Sequence, residues 1–401
     1  MNKKRVVITG LGVISPNATG KDAFWAALEK GISGIKPVSL FDTSRYKTKA
    51  AGEIKNFIPQ YFLGEKGLRT LDRTTKLAAS ATKLALDDAR LDINEDNCRK
   101  IGVSLGTALG SIKSITDFDK EALTEGARYV NPALFPNTVI NSPASQISIK
   151  FNIKGFNATV STGFCASLDA VIFALDQIRL GRINAVLAGG VEELCLPTFY
   201  GFYRRGCLAG IDGPEISSPF DKRRNGLILG EGAAVILLEE LESALLRKAR
   251  IYAEVKGAGM SFGDNRLAKA MSLAMEEADM EKGSLDYICS AANSTVKADL
   301  YETKAIKENF GASPKDLYVS SIKSMIGESF SAAAAMNLVS ACGSIAHGII
   351  PPTINYAQAD QYCDLNYVVN NPKTCKIGSV MINSFGFAGG NSSIIISRYN
   401  N

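Results

Sequence analysis

The chain has 401 residues, 46% apolar and 21% charged, with a net charge of +5. It is long enough to bury more than one core and has the balance of an ordinary globular protein. Its charge is too small and too dispersed for a nucleic-acid surface: the longest like-charge runs, Lys3-Lys4-Arg5 and Lys222-Arg223-Arg224, have no aromatic stacking platform beside them.

The first segment, MNKKRVVITGLGVIS, is basic and then strand-like. Val6–Thr9 is a β-branched run, and a tight turn is expected at Gly10 and Gly12. The long apolar stretch and cleavage site of a secretory signal are missing. Helical spacing follows at Asp22–Lys30 and, Ala-rich, at Leu71–Asp88. Ile101–Leu105 reads as a strand; Leu109, Ile112 and Thr116, at i, i+3 and i+7, read as one face of a helix. Ala158–Ser161 leads into an apolar helix, Cys165–Leu180. Ala185–Leu187 is a buried strand ending in Ala188-Gly189-Gly190. Gly232–Leu238 is a strand that runs into a charged helix, Glu239–Lys248. Strand and helix then alternate through Ile251–Val255, Arg266–Ala278, Leu285–Ala291, Ala298–Asn309, Val319–Ser321 and Ser329–Ala346. A hairpin, Lys376–Ile382 with Ser392–Arg398, closes around SFGFAGGN. This alternation predicts a layered α/β fold. No stretch of about 20 apolar residues offers a membrane span.

Two segments resemble each other: VSTGFCASLDAVIFAL at 160–175 and VSSIKSMIGESFSAAAAMNLV at 319–339. Each is a strand, a tight turn and a helix crowded with small residues, the pattern of a helix buried between sheets. An internal duplication is expected, with its boundary near residue 250, so that 1–250 and 251–401 form the two halves.

The candidate motifs carry chemical and structural readings side by side. Gly10 and Gly12 satisfy two positions of a dinucleotide fingerprint, but Ser15 occupies the third and no acidic residue follows at the usual distance; a structural turn is preferred. Cys165 at a strand-to-helix turn has the placing of an activated thiolate, and equally that of a buried structural thiol. The eight cysteines (98, 165, 195, 207, 289, 342, 363 and 375) include no CxxC pair, and His347 is the sole histidine. No metal site and no cofactor are expected, and scattered free thiols fit a reducing cytoplasm.

Longer motifs decide between these readings. GLGVISPNATG, the Ala188-Gly189-Gly190 turn, SSPFDKRRNGLILGEGAAVILLEE, VSSIKSMIGE, PPTIN and NSFGFAGGN occur in order along the whole chain. Together they resemble the β-ketoacyl-(acyl carrier protein) synthases. That resemblance implies a thiolase-like fold: five layers, α-β-α-β-α, from two duplicated halves, and a dimer. It also implies a cysteine nucleophile and two histidines, which this chain lacks. With Asp299 and Glu302 fixing the register, one histidine's place falls on Ala291 in SAANST. The other falls on Glu328, while Lys323 is retained. Aligned without a gap, Phe164 takes the nucleophile's slot, with Cys165 beside it. CASLDA at 165–170 is similar to the run that follows the replaced cysteine in the chain-length factors of type II polyketide synthases. The usual replacement there is glutamine; Phe164 has no amide to take over a decarboxylase role.

Condensation needs a thiolate and donors that stabilise an enolate. Alanine has nothing to donate, an anionic Glu328 opposes enolate formation, and losing one good donor costs about 3 kcal/mol. His347 lies after a helix, where a solvent-facing position is expected. The expectation is therefore a catalytically inactive subunit that heterodimerises with an active ketosynthase and shapes its tunnel for chains held on an acyl carrier protein. Leu109, Ile112 and Thr116 are candidate tunnel residues. Leu134 and Phe135 are expected to approach the partner's pocket, and Phe387 matches the family's gating phenylalanine. Two alternatives stand beside this: an active synthase or acyltransferase using Cys165, and a homodimeric acyl-binding scaffold.

Overall fold

The computed structural model describes residues 3–312 and 316–400. Ten strands form the path of one large sheet: β1 (Val6–Ser15), β2 (Ile101–Gly106), β3 (Asn157–Val160), β4 (Ala185–Glu192), β5 (Gly232–Glu240), β6 (Ala253–Phe262), β7 (Tyr287–Cys289), β8 (Tyr318–Ser320), β9 (Ser379–Phe385) and β10 (Gly390–Ser397). A two-residue strand, Ala18–Thr19, hairpins onto β1. The helices longer than eight residues are α1 (Lys21–Glu29), α2 (Arg73–Ala89), α3 (Ile112–Thr124), α4 (Ser142–Phe151), α5 (Ala166–Arg179), α6 (Leu196–Arg204), α7 (Leu267–Ala278), α8 (Val296–Phe310) and α9 (Ala333–His347).

The strand order is β8-β7-β9-β10-β6-β1-β5-β4-β2-β3. Read outward from the centre, β1-β5-β4-β2-β3 and β6-β10-β9-β7-β8 are the same path. Both run antiparallel, antiparallel, parallel, parallel. The chain is thus a duplicated unit, joined where Val6–Ile8 pairs antiparallel with Ala253–Val255.

Helices α5 and α9 pack against each other between the two halves of the sheet, and their apolar residues merge with both inner sheet faces in one core. α2 and α4 cover the outer face of the first half, α7 and α8 that of the second. These are the five layers. Small residues permit the close spacing: a Cβ on Gly106 of β2 would lie 2.3 Å from the Ala166 carbonyl carbon of α5.

Two local expectations are corrected. Gly10 and Gly12 make neither a turn nor a phosphate cradle; they lie inside the ten-residue β1. A Cβ at Gly12 would sit 1.9 Å from the Ala81 carbonyl oxygen, so glycine is there to admit α2. Glu239 and Glu240 belong to β5 and not to a charged helix. Arg247 and Lys4 pair with them at the strand end, which lets two carboxylates continue a buried strand.

The sheet's two edges differ. The outer edge of β8 is covered by the chain itself, with Val319 N–H donating to the Asn366 carbonyl at 3.1 Å and Val368 N–H to the Val319 carbonyl at 2.9 Å. Among the described residues, no strand pairs with the outer edge of β3.

Candidate functional site

β3 and α5 are joined by one 3-10 turn, Gly163–Cys165, with Gly163 at φ +71°. Its two side chains part company. Cys165 turns inward: it is fully buried and its thiol donates to the Ser384 carbonyl at 3.3 Å. Burial, helped by the nearby Asp169 carboxylate, pushes the thiol up to about 12. At neutral pH it stays protonated and is a poor nucleophile.

Phe164 turns outward into a cluster of rings. Its centroid lies 5.2 Å from Phe330 and 5.5 Å from Phe387, both edge-on. The ring borders two cavities. The larger, about 390 Å³, is also lined by Asn293, Lys297, Tyr301, Phe385 and Asn391. The smaller, about 220 Å³, is lined by Leu109, Phe202, Phe330 and Ala388. Gly386 and Phe387 border both, so the aromatic cluster stands between them.

Beneath the rings lies a buried polar network. Lys323 Nζ donates to Glu328 Oε2 and to the Ala291 carbonyl, both at 2.8 Å. Asn293 Nδ2 donates to Glu328 Oε2 at 3.0 Å, and Phe330 N–H to Glu328 Oε1 at 2.9 Å. Glu328, the expected anion, is ion-paired with Lys323, and neither Glu328, Lys323 nor Ala291 lines either cavity. Asp299 holds the adjoining loop through the amides of Asn293 at 3.0 Å and Ser294 at 3.2 Å; burial pushes its carboxyl up to about 7. Glu302, raised by burial as well, accepts from Ser290 Oγ, Ala291 N–H and Asn383 Nδ2.

Residues 3–244 match the β-ketoacyl synthase N-terminal domain, and residues 244–357 the β-ketoacyl synthase C-terminal domain. The chain belongs to the β-ketoacyl synthase family. The 3-oxoacyl-[acyl-carrier-protein] synthase 2 of Coxiella burnetii (strain RSA 493 / Nine Mile phase I) is 38% identical over 411 residues, with 99% of each chain covered. That of Synechocystis sp. (strain ATCC 27184 / PCC 6803 / Kazusa) is 34% identical over 412 residues, covering 100% of this chain and 99% of its own. A solved structure described as the ishigamide ketosynthase/chain length factor superposes with a TM-score of 0.92 at 33% identity, covering 99% of this chain and 100% of its own. A type II polyketide synthase acyl-carrier protein in complex with its ketosynthase includes a chain with a TM-score of 0.91 at 28% identity, covering 99% and 100%.

The thiolase-like synthase fold arranges the remaining candidates unevenly. Phe387 is 61% exposed, at the tip between β9 and β10, with its ring on Phe164. Leu109, Ile112 and Thr116 do not share a helical face. Leu109 lies in the turn before α3 and borders the smaller cavity; Ile112 opens α3 half-buried; Thr116 is exposed and its hydroxyl donates back to the Ile112 carbonyl at 2.8 Å. The i+3 spacing holds only if the helix has already begun at Leu109. Leu134 and Phe135, in the 3-10 segment Pro132–Thr138, are exposed, and Phe135 leans on Phe118 at 6.1 Å. His347 is the exposed last residue of α9, stacked on Trp25 at 5.0 Å. That places it about 22 Å of helix rise from the Phe330 turn.

Sequence reasoning missed Asn293, Phe202, Phe330 and the buried Glu192. The family pattern drew the eye to absent imidazoles and away from the side chains that fill their surroundings. Among the described residues, no cluster of His, Cys, Asp or Glu could hold a metal ion, and no helix is long and apolar enough to cross a membrane.

Proposed function

We propose that this chain is a non-condensing, ketosynthase-like subunit of the chain-length-factor type. It pairs with an active ketosynthase and shapes the tunnel in which an acyl chain grows on an acyl carrier protein. Residues 1–250 and 251–401 are its two units. One observation carries this reading: the turn that should present a nucleophile presents the Phe164 ring, while Cys165 faces the core with its thiol pushed up to about 12. Ala291 and Glu328 themselves line neither cavity. The likeness to a solved ketosynthase/chain length factor supports the pairing.

A second reading, an active synthase working through Cys165, is favoured by the 38% identity to a named synthase. Intact-mass analysis after incubation with an acyl carrier protein thioester separates the two. No acyl adduct is expected on the chain alone, and condensation is expected only on adding a ketosynthase with an intact Cys-His-His set. An acyl group on Cys165 would overturn the proposal. Co-purification of the chain with that ketosynthase separates the proposed heterodimer from a homodimeric scaffold.

A further inference from the structure

β4 ends in the buried carboxyl of Glu192, and the next residue, Glu193, is buried as well. One oxygen of Glu192 accepts three hydrogen bonds from the turn before α3: Thr107 Oγ1 at 2.6 Å, Ala108 N–H at 2.9 Å and Leu109 N–H at 3.1 Å. Glu193 accepts from Lys113 N–H at 3.2 Å, in the first turn of α3. Burial pushes each carboxyl up to about 7. The nearby Arg73 guanidinium is committed to Glu231 through two bonds of 2.6 and 2.8 Å. Two buried carboxyls without a cation of their own are expensive, and native structures keep such groups where they hold something.

What they hold has little other anchorage. α3 buries none of its own residues in this chain. It packs on α6 and on Pro132–Thr138, and the turn before it is braced by Gly110 N–H donating to Thr107 Oγ1 at 3.0 Å. A segment without core side chains takes its position from its polar ties. Leu109, held by its amide to Glu192, forms part of the wall of the 220 Å³ cavity beside Phe164.

We propose that Glu192, with Glu193 as its second anchor, is a positioning residue. By fixing Leu109 and the start of α3, it sets the depth of the apolar cavity and so the length at which a growing chain meets a wall. This rests on the tunnel-shaping reading above.

The test uses the complex reconstituted with an active ketosynthase and reads the product-length distribution, with Leu109→Ala as reference. Leu109→Ala should lengthen the product. Glu192→Ala, in complexes that assemble as wild type, should move at least half of the product by one or more two-carbon units. Glu192→Gln, which keeps one oxygen for the three donors, should restore the wild-type distribution. If Glu192→Ala fails to assemble, Thr107→Val removes the hydroxyl ties without leaving the Leu109 amide unpaired and should shift the distribution in the same direction. A shift with Leu109→Ala and none with the Glu192 or Thr107 variants overturns the positioning role alone. No shift with any of them overturns the tunnel reading, and the positioning role with it.

Discussion

The two duplicated turns, Thr162–Ala166 and Ser329–Ala333, share a backbone and reverse its filling. Thr162 and Ser329 have φ, ψ of −105°, 27° and −102°, 28°; Ala166 and Ala333 have −54°, −39° and −58°, −46°. Between them, the first half puts Gly163 at φ +71° and then Phe164. The second half puts Phe330 itself at φ +46° and then Ser331. Glycine takes that conformation freely, whereas a side chain with a Cβ costs about 1–2 kcal/mol there. The second turn holds Phe330 in place through Glu328, which accepts its amide and is gripped by Lys323 and Asn293. Both turns deliver a ring to the same spot, one from a relaxed backbone and one from a braced one. Duplication has kept the loop geometry and exchanged which residue closes the space.

The largest expected effect lies on the braced side. Lys323→Met leaves Glu328 buried without its cation and should cost about 3–5 kcal/mol, read from urea unfolding. Lys323→Met combined with Glu328→Gln should recover most of it. A neutral single variant would mean that the pair braces nothing.

On the relaxed side, Phe164→Ala should cost less than about 3 kcal/mol, below the range for a fully buried aromatic, because the ring is only half-buried. It should join the two cavities, seen as stronger binding of an apolar probe. Phe164→Cys should create a thiol that iodoacetamide labels at residue 164 but not at Cys165, without restoring condensation.

The halves also share a pH dependence. Glu192 and Glu193 in the first, and Asp299 in the second, are pushed by burial up to about 7, against about 4 in an unfolded chain. The folded state therefore holds protons that the unfolded state has released between pH 4 and 7. The contribution is fully present below about 4 and is lost as pH rises through 7. The urea midpoint should fall from pH 5.5 to 8, and Glu193→Gln should flatten that slope. The smallest effect is Gly163→Ala, about 1 kcal/mol: nothing lies within 4 Å of the added Cβ, so the cost is backbone conformation alone. A loss well beyond that would show the first turn to be braced as tightly as the second.

Much of this architecture was legible in periodicity and small-residue content. The strand, turn and helix at 160–175 and at 319–339 stand where their β-branched and Ala-rich runs put them. Local pattern failed where a distant partner decided. Glu239 and Glu240 read as helix because their pairing with Arg247 and Lys4 is invisible along the chain. Gly12 read as a turn because its neighbour, Ala81, is a helix away. The i, i+3, i+7 spacing puts Leu109 on a helix that starts three residues later, because the tie of its amide to Glu192, 83 positions on, is invisible along the chain. At the site, the family pattern pointed to Ala291, Glu328 and Lys323 as separate positions; the bond that joins Lys323 to Glu328 requires the fold of the 323–328 turn.

The uncovered β3 edge has a consequence for how much of this chain a cell can tolerate. Its four residues, Asn-Ala-Thr-Val, include no charge and no proline, the usual guards against unwanted strand addition. Ile149 and Phe173 on the flanking helices are exposed as well. In the proposed pairing, synthesis beyond the supply of the partner that covers that edge would leave an adhesive template in solution, so dosage would be constrained along with structure. A copy number matched to that partner would keep the edge silent; surplus copies would end in aggregates or in proteolysis.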